Sequence, residues 1–297
     1  MTNSEYTNAN CFEYFKKIPN ESIDLVVTDP PYGISFDASF HMDNADWDKM
    51  SDQEYEKFLD TFFAECKRVL KPTGTLWFFY GITKIETVIK CVNRSGMFNH
   101  WENAMVYCRA KGRGSSKKLK SQREEIMHIT KNENTYTWNA VEYLREVVVP
   151  YVKDGKPRGW VLDQSTGMRL RWSGLGNCNF FTPPAYNNVA EKQIHSCQKP
   201  LLLFTKLIML SSLKGETVLD PFMGSGASGV SSYLCDRKYI GIEKEKDMYE
   251  KALKWREDAE GNTRVHEHLN EYIKKRVSSS EKGFRFGWDS RLIMPKN

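Results

Sequence analysis

The chain has 297 residues, 40% of them hydrophobic and 27% charged, which gives room for one large α/β domain and the balance of a folded globular protein. Its net charge of +5 is too small to name a partner. No uncharged apolar run approaches the ~20 residues of a membrane span, since even Leu201–Leu210 is broken by Lys206. The start, MTNSEYTNAN, has neither the basic flank nor the apolar stretch of a signal peptide, so a cytoplasmic protein without a membrane partner is expected.

In chain order, Ile23–Thr28 is a β-branched apolar run that stops at Asp29-Pro30-Pro31, as a buried strand would. Ser51-Asp-Gln-Glu54 is a capping box that opens a helix, whose apolar positions from Tyr55 to Leu70 follow the 3.6 period. Lys71-Pro-Thr-Gly74 is expected to end that helix. A strand Thr75–Tyr80, a helix near Lys84–Arg94 and a strand near Ala104–Cys108 follow. Alternating strands and helices predict a parallel sheet covered on both faces.

The pattern then dissolves between about residues 109 and 195, where Gly, Asn, Pro, Trp and basic residues dominate and only Glu146–Val149 looks strand-like. Order returns with an apolar helix at Pro200–Leu213. Then come a strand at Thr217–Leu219, a glycine turn at Asp220–Gly226, a helix at Ala227–Cys235, a strand at Tyr239–Ile242 and a charged helix around Lys246–Asp258. Another helix near Val265–Val277 is expected in the tail.

Charge is unevenly placed. Residues 1–60 hold 13 acids and 4 bases, whereas residues 105–175 hold 14 bases and 7 acids. Arg109–Arg123 carries seven bases and no acid. Such a run is either a solvated loop or a clamp on a polyanion, each cation replacing a counterion on a phosphate. The seven cysteines are scattered and never spaced C-x-x-C. Cys178, His195 and Cys197 lack a fourth ligand, so no metal is expected.

Two motifs carry chemistry. In Asp220-Pro-Phe222-Met-Gly224-Ser225-Gly226 a strand ends, glycines turn the backbone and a helix begins with its N–H groups exposed. Glu243 closes the next strand, where nucleotide folds place a carboxylate for ribose hydroxyls. Such a turn is either a plain βα connection or the seat of a nucleoside cofactor; a dinucleotide fingerprint and a Walker lysine are both missing. The other motif, Asp29-Pro30-Pro31-Tyr32, sits at the carboxyl end of a buried strand. It reads as a proline turn with an Asp cap, or as a preorganised acceptor pair beside an aromatic face that suits a flat exocyclic amine.

Together these motifs resemble the S-adenosylmethionine-dependent DNA amino-methyltransferases. With the catalytic motif first, a basic insert next and the cofactor motif last, the order is that of the β group. His195-Ser-Cys-Gln-Lys199-Pro200 is similar to the family's H-x-x-Q-K-P segment, and the resemblance covers roughly residues 8–258. It implies an α/β fold with a Rossmann-like methyltransferase sheet of about seven mostly parallel strands, helices on both faces, and circular permutation. Residues 1–108 would form the catalytic half, 109–195 a target-recognition insert, 196–260 the cofactor half and 261–297 an extension.

Carried over residue by residue, the resemblance has Asp29 and the Pro30 carbonyl accept the target amine, Pro31 stiffen the loop and Tyr32 stack on a flipped base. Asp220, Phe222, Gly224, Ser225 and Gly226 would line the S-adenosylmethionine site with Asp29, Glu243 would take the ribose, and Lys199 and Pro200 would support the cofactor. Asn10 stands where the family often has Asp near the adenine, and Ala227 where it commonly has Thr, with Ser228 next. In the insert, Arg113, Lys117, Lys118, Lys120 and Arg123 are the candidate phosphate contacts. Tyr136, Trp138, Trp160 and Trp172 are candidates to fill the vacated base stack, or else to pack in the core. Double-stranded DNA is the implied substrate, with a homodimer and a cognate restriction endonuclease as further partners. Asp29 points to N6 of adenine, because Ser at that position mostly accompanies N4 of cytosine. The competing readings are an N4-cytosine enzyme and a non-catalytic nucleic-acid binder on the same fold.

Overall fold

A computed structural model describes residues 4–34, 48–113, 119, 121–139 and 198–261, with short strand segments between residues 148 and 181. The amino-terminal half runs β1 (Ser4–Asn8), α1 (Cys11–Phe15), β2 (Ile23–Thr28), α2 (Asp52–Val69), β3 (Leu70–Tyr80), α3 (Ile85–Ser95), β4 (Phe98–Asn99), β5 (Met105–Arg113) and β6 (Ser121–Thr130). Short strands β7 (Val148–Pro150), β8 (Val152–Lys153), β9 (Lys156–Pro157), β10 (Val161–Leu162), β11 (Arg169–Trp172) and β12 (Phe180–Phe181) follow. The remainder is α4 (Leu201–Ser211), β13 (Thr217–Asp220), α5 (Ala227–Leu234), β14 (Lys238–Glu243) and α6 (Lys246–Gly261).

Nine strands form the central sheet in the order β1-β14-β13-β2-β3-β6-β5-β12, with β4 pairing on β6. The five from β1 to β3 run parallel, whereas β6 is antiparallel to both β3 and β5. All six residues of β2 are buried, so its alternating side chains feed two cores. Leu25 and Val27 pack with Trp77, Phe79 and the apolar α4 on one face. Ile23 and Val26 pack with Phe62, Phe63 and Phe78 beneath α2 on the other. The capping box forms as its spacing requires: Glu54 N donates to Ser51 Oγ at 3.3 Å, and Ser51 N donates to the Glu54 carboxylate at 2.8 Å.

β13 lies beside β2, with Val218 opposite Leu25 and Leu219 opposite Val26. The turns after Thr28 and after Asp220 therefore open side by side at one edge of the sheet. Ligands of open α/β sheets bind at the carboxyl ends of strands.

Three elements differ from the sequence expectation. Ser4–Asn8 is an edge strand beside β14; its polar character hid it, because only Tyr6 of the five is buried. Lys71–Gly74 ends α2 but remains within β3 as an irregularity in the pairing, Ile23 opposing Leu70 and Leu25 opposing Thr75. Finally, the stretch expected to be irregular from residue 109 opens with strand pairing in the main sheet, since β5 continues to Arg113 and β6 returns from Ser121. β6 buries Ile126, Met127, His128, Ile129 and Thr130, a run whose mixed polarity conceals a strand. The expected tail helix at Val265–Val277 lies outside the described residues.

Candidate active site

Asp29 leaves β2 at the sheet edge, and the loop behind it is held by a residue that no motif marked. Asp48, 1% exposed, accepts from Tyr32 N at 2.7 Å, Gly33 N at 2.8 Å and Ile34 N at 3.3 Å. Three N–H groups converging on one carboxylate fix a short, tight turn. Gly33 adopts φ +63°, and a Cβ there would sit 2.7 Å from the Tyr55 ring. Both the conformation and the space demand glycine. Pro30 is buried, and Pro31 and Tyr32 are half-buried.

The Tyr32 hydroxyl donates to Asp29 Oδ1 at 2.6 Å. Lys199 donates to Asp29 Oδ2 and also pairs with Glu124 Oε2 at 3.0 Å. Burial raises the Asp29 carboxyl above the usual carboxylate range; the Lys199 ammonium opposes that shift and the Glu124 carboxylate adds to it. Lys199 was expected on the cofactor, yet the structure puts it on Asp29, with its ammonium 5.4 Å above the Phe79 ring. Pro200 forms the N-cap of α4.

The second loop is built around left-handed glycines, with φ +49° at Gly224 and +83° at Gly226. A Cβ on Gly226 would crowd Ala252 at 3.1 Å, whereas one on Gly224 would meet only Phe222 O at 4.0 Å. Among the described residues, space is therefore open above Gly224, at the mouth of α5. Glu243 Oε2 accepts from Gly224 N at 3.0 Å and Oε1 from Glu245 N at 2.8 Å, while burial raises its carboxyl above the usual range. An open cradle beside an acceptor carboxylate fits the sugar end of a nucleoside cofactor. Phe222 packs against Phe58 and Phe62, Ser225 is buried, and Asn10 caps α1 by accepting from Phe12 N at 2.9 Å.

Asp220 has a different place from the one expected. It is 1% exposed, and its oxygens accept from Thr28 Oγ1 at 2.7 Å, Ser228 Oγ at 2.5 Å and Phe222 N at 3.1 Å. It thus ties the cofactor turn to the last residue of β2 rather than presenting a free carboxylate. Burial pushes its carboxyl up to about 7, against the pull of those three donors. Ala227 leaves α5 without a hydroxyl at its first position, and Ser228, one residue further along, is the one that bonds Asp220.

The candidate phosphate contacts are only partly described. Lys117, Lys118 and Lys120 lie outside the described residues, and of Arg113 only the backbone is described, paired opposite Ser121. Arg123 forms an ion pair with Glu125 at 2.8 Å. β5 runs in the direction of β3, so Arg113 and Ser121, the strand ends that flank the basic run, lie at the same sheet edge as Asp29.

Tyr136 and Trp138 are placed elsewhere, so of their two readings the structure favours packing over filling a base stack. Thr137 N donates to Thr73 O and Asn139 N to Leu210 O. These anchors lie at the start of β3 and the end of α4, about 20 Å along the strand from the Asp29 edge. There the two rings join Trp77, His100 and His128 in an aromatic cluster. Trp160 and the side chain of Trp172 lie outside what the structure describes.

Comparison with known proteins agrees with this geometry. A DNA methylase family model, covering the N6 and N4 methyltransferases, matches residues 23–254. The type II methyltransferase M.HpaI of Haemophilus parainfluenzae is 31% identical over 86% of this chain and 74% of its own length. M2.DpnII of Streptococcus pneumoniae is 28% identical over 86% and 90%. Among solved structures, the M1.HpyAVI–SAM complex is 22% identical with a TM-score of 0.55, covering 84% of this chain and 98% of that one. PvuII DNA methyltransferase, cytosine-N4-specific, is 16% identical with a TM-score of 0.64, over 95% and 94%. These two share the fold. The family match and the M.HpaI likeness go further: the chain belongs to the N6/N4 DNA methylase family and is an S-adenosylmethionine-dependent DNA methyltransferase.

Proposed function

We propose that the protein methylates N6 of adenine within a specific site in double-stranded DNA. The observation that carries this reading is Asp29 as the first residue of its motif, a carboxylate at the sheet edge where the amine must be received. S-adenosylmethionine, when bound, supplies an electrophilic methyl group; Gly224, Ser225, Gly226 and Glu243 would hold it, with Phe222 and Asn10 at the margins.

The work of this chain's own residues is to prepare the amine. An exocyclic amine is a poor nucleophile because its lone pair is conjugated into the ring. Asp29 and the carbonyl of Pro30 accept its two N–H groups and draw the nitrogen towards tetrahedral geometry. Asp48 holds the loop so that these acceptors are already aimed, which avoids reorganisation at the moment of reaction. Asp29 need not be a strong base, because the nitrogen turns acidic only after taking its fourth bond. Tyr32 exchanges its hydrogen bond to Asp29 for contact with the face of the base. The base must leave the duplex to enter, at a cost of a few kcal/mol of unstacking, which the basic hairpin beside the site offsets through phosphate contacts.

Digestion of methylated DNA to nucleosides, followed by mass spectrometry, tests the base choice. N6-methyladenine is expected; N4-methylcytosine alone would overturn the adenine assignment. A homodimer and a cognate endonuclease belong to the same reading, the first checked by sedimentation and the second by cleavage of unmethylated DNA by a co-expressed partner.

A further inference from the structure

Both oxygens of Asp29 are already engaged, one by the Tyr32 hydroxyl and the other by the Lys199 ammonium. Tyr32 gives way when it turns to the base, but Lys199 still neutralises the carboxylate. An amine that is to meet the full charge of Asp29 therefore needs the ammonium to give way as well. Lys199 has somewhere to go. Its ammonium lies between two carboxylates, with Glu124 Oε2 at 3.0 Å, and a small displacement moves it from one to the other. The Lys199 side chain is only 6% exposed and that of Glu124 14%, so bulk water is a poor substitute partner. A buried cation leaving one anion without meeting another is strongly disfavoured.

We propose that Glu124 is a positioning residue that draws Lys199 away from Asp29 as the target amine arrives, leaving an unneutralised carboxylate to receive an N–H. Two carboxylates sharing one ammonium give the cluster a net negative charge, which suits a nitrogen gaining positive charge as it takes its fourth bond. Without Glu124, Asp29 and Lys199 form a closed neutral pair. The inference rests on Asp29 being the amine acceptor. Glu124 itself stands on β6 opposite Tyr107, outside every motif.

The test is Glu124→Gln in the full chain, assayed with duplex DNA and S-adenosylmethionine across pH. Among the described residues, the charged or titratable groups around Asp29 are Lys199, Glu124, Tyr32 and Asp220. Asp29 must be ionised to accept, so activity falls on its acidic limb. Glu124→Gln removes a like charge and leaves Lys199 to Asp29 alone, both of which lower the Asp29 pKa. The expected result is a fall in kcat of about tenfold or more, unchanged DNA affinity, and an acidic limb moved to lower pH. If Glu124 were only an anchor for Lys199, its loss would loosen the ammonium from Asp29 and move the limb to higher pH. That outcome, or a wild-type rate and profile, overturns the proposal.

Glu124→Asp keeps the charge with a shorter reach; it should lower kcat while leaving the limb in place, and a moved limb would count against the proposal. Asp29→Ala is the control. If it is folded and inactive, the inference is judged on the Glu124 variants; if it is folded and active, the role of Asp29 itself fails.

Discussion

Asp220 is a motif residue whose carboxylate is spent on the fold around it. Its carboxylate gathers Thr28 Oγ1, Ser228 Oγ and Phe222 N, so it registers the cofactor turn against the strand that carries Asp29. Burial raises its folded-state pKa to about 7 from an ordinary 3.8. Between those values the unfolded chain is ionised while the folded one holds its proton, so stability declines as pH rises from about 4 to about 7. Asp220→Asn keeps the shape and removes the titration. Denaturant unfolding across that range should show a flatter pH profile, the variant gaining on the wild type by up to a few kcal/mol at pH 8 relative to pH 4. Parallel profiles would place the titrating group elsewhere. Asp29→Ala, by contrast, should leave unfolding almost unchanged and reduce methyl transfer by at least 100-fold, since it removes an acceptor that matters most in the transition state.

Among the elements, the β5–β6 hairpin is the hardest to read from sequence. Its root belongs to the sheet, with Met105 opposite Ile126 and Cys108 opposite Arg123, but Gly, Ser and Lys between the strands erase the alternation that marks a strand. The functional reading of the hairpin makes a quantitative demand. If Lys117, Lys118 and Lys120 each meet a phosphate, replacing all three by Gln should weaken binding to every DNA sequence alike. The slope of log K against log salt should fall by about 0.9 for each phosphate no longer neutralised. Filter binding over a salt series gives that slope, and an unchanged value would make the hairpin a solvated surface. Such a weakening of binding would be separable from the Glu124 effect, which acts after DNA has bound.

At the scale of the whole molecule, much of the fold was legible because β2, β3, β13 and β14 are short apolar runs closed by Pro, Gly or an acid. The helices α2 and α4 likewise announce themselves by period and by apolarity. The two motifs could be read as turns at strand ends. Their adjacency could be expected only through the family resemblance, because strand order is not written in local pattern. Asp48 and Glu124 were invisible for the same reason. One lies 16 residues from Tyr32, to which it bonds, and the other follows the basic run beside a second acid, Glu125, so only the folded chain reveals what each faces. β1 escaped notice because an edge strand with one buried side chain carries almost no apolar signal.

The sheet order has a consequence for how the chain is made. β2 is synthesised early, but its neighbour β13 comes from far down the chain, and Thr28 waits across 192 positions for Asp220. β1 waits longer still, Asn8 reaching its partner Glu243 across 235. Until residues 217–243 leave the ribosome, β2 presents a bare and largely apolar strand edge, a template for pairing with other chains. Assembly should therefore be slow and dominated by long-range closure. A chain cut after residue 212 should remain loosely folded and aggregate, and adding residues 213–261 as a separate peptide should restore protease resistance.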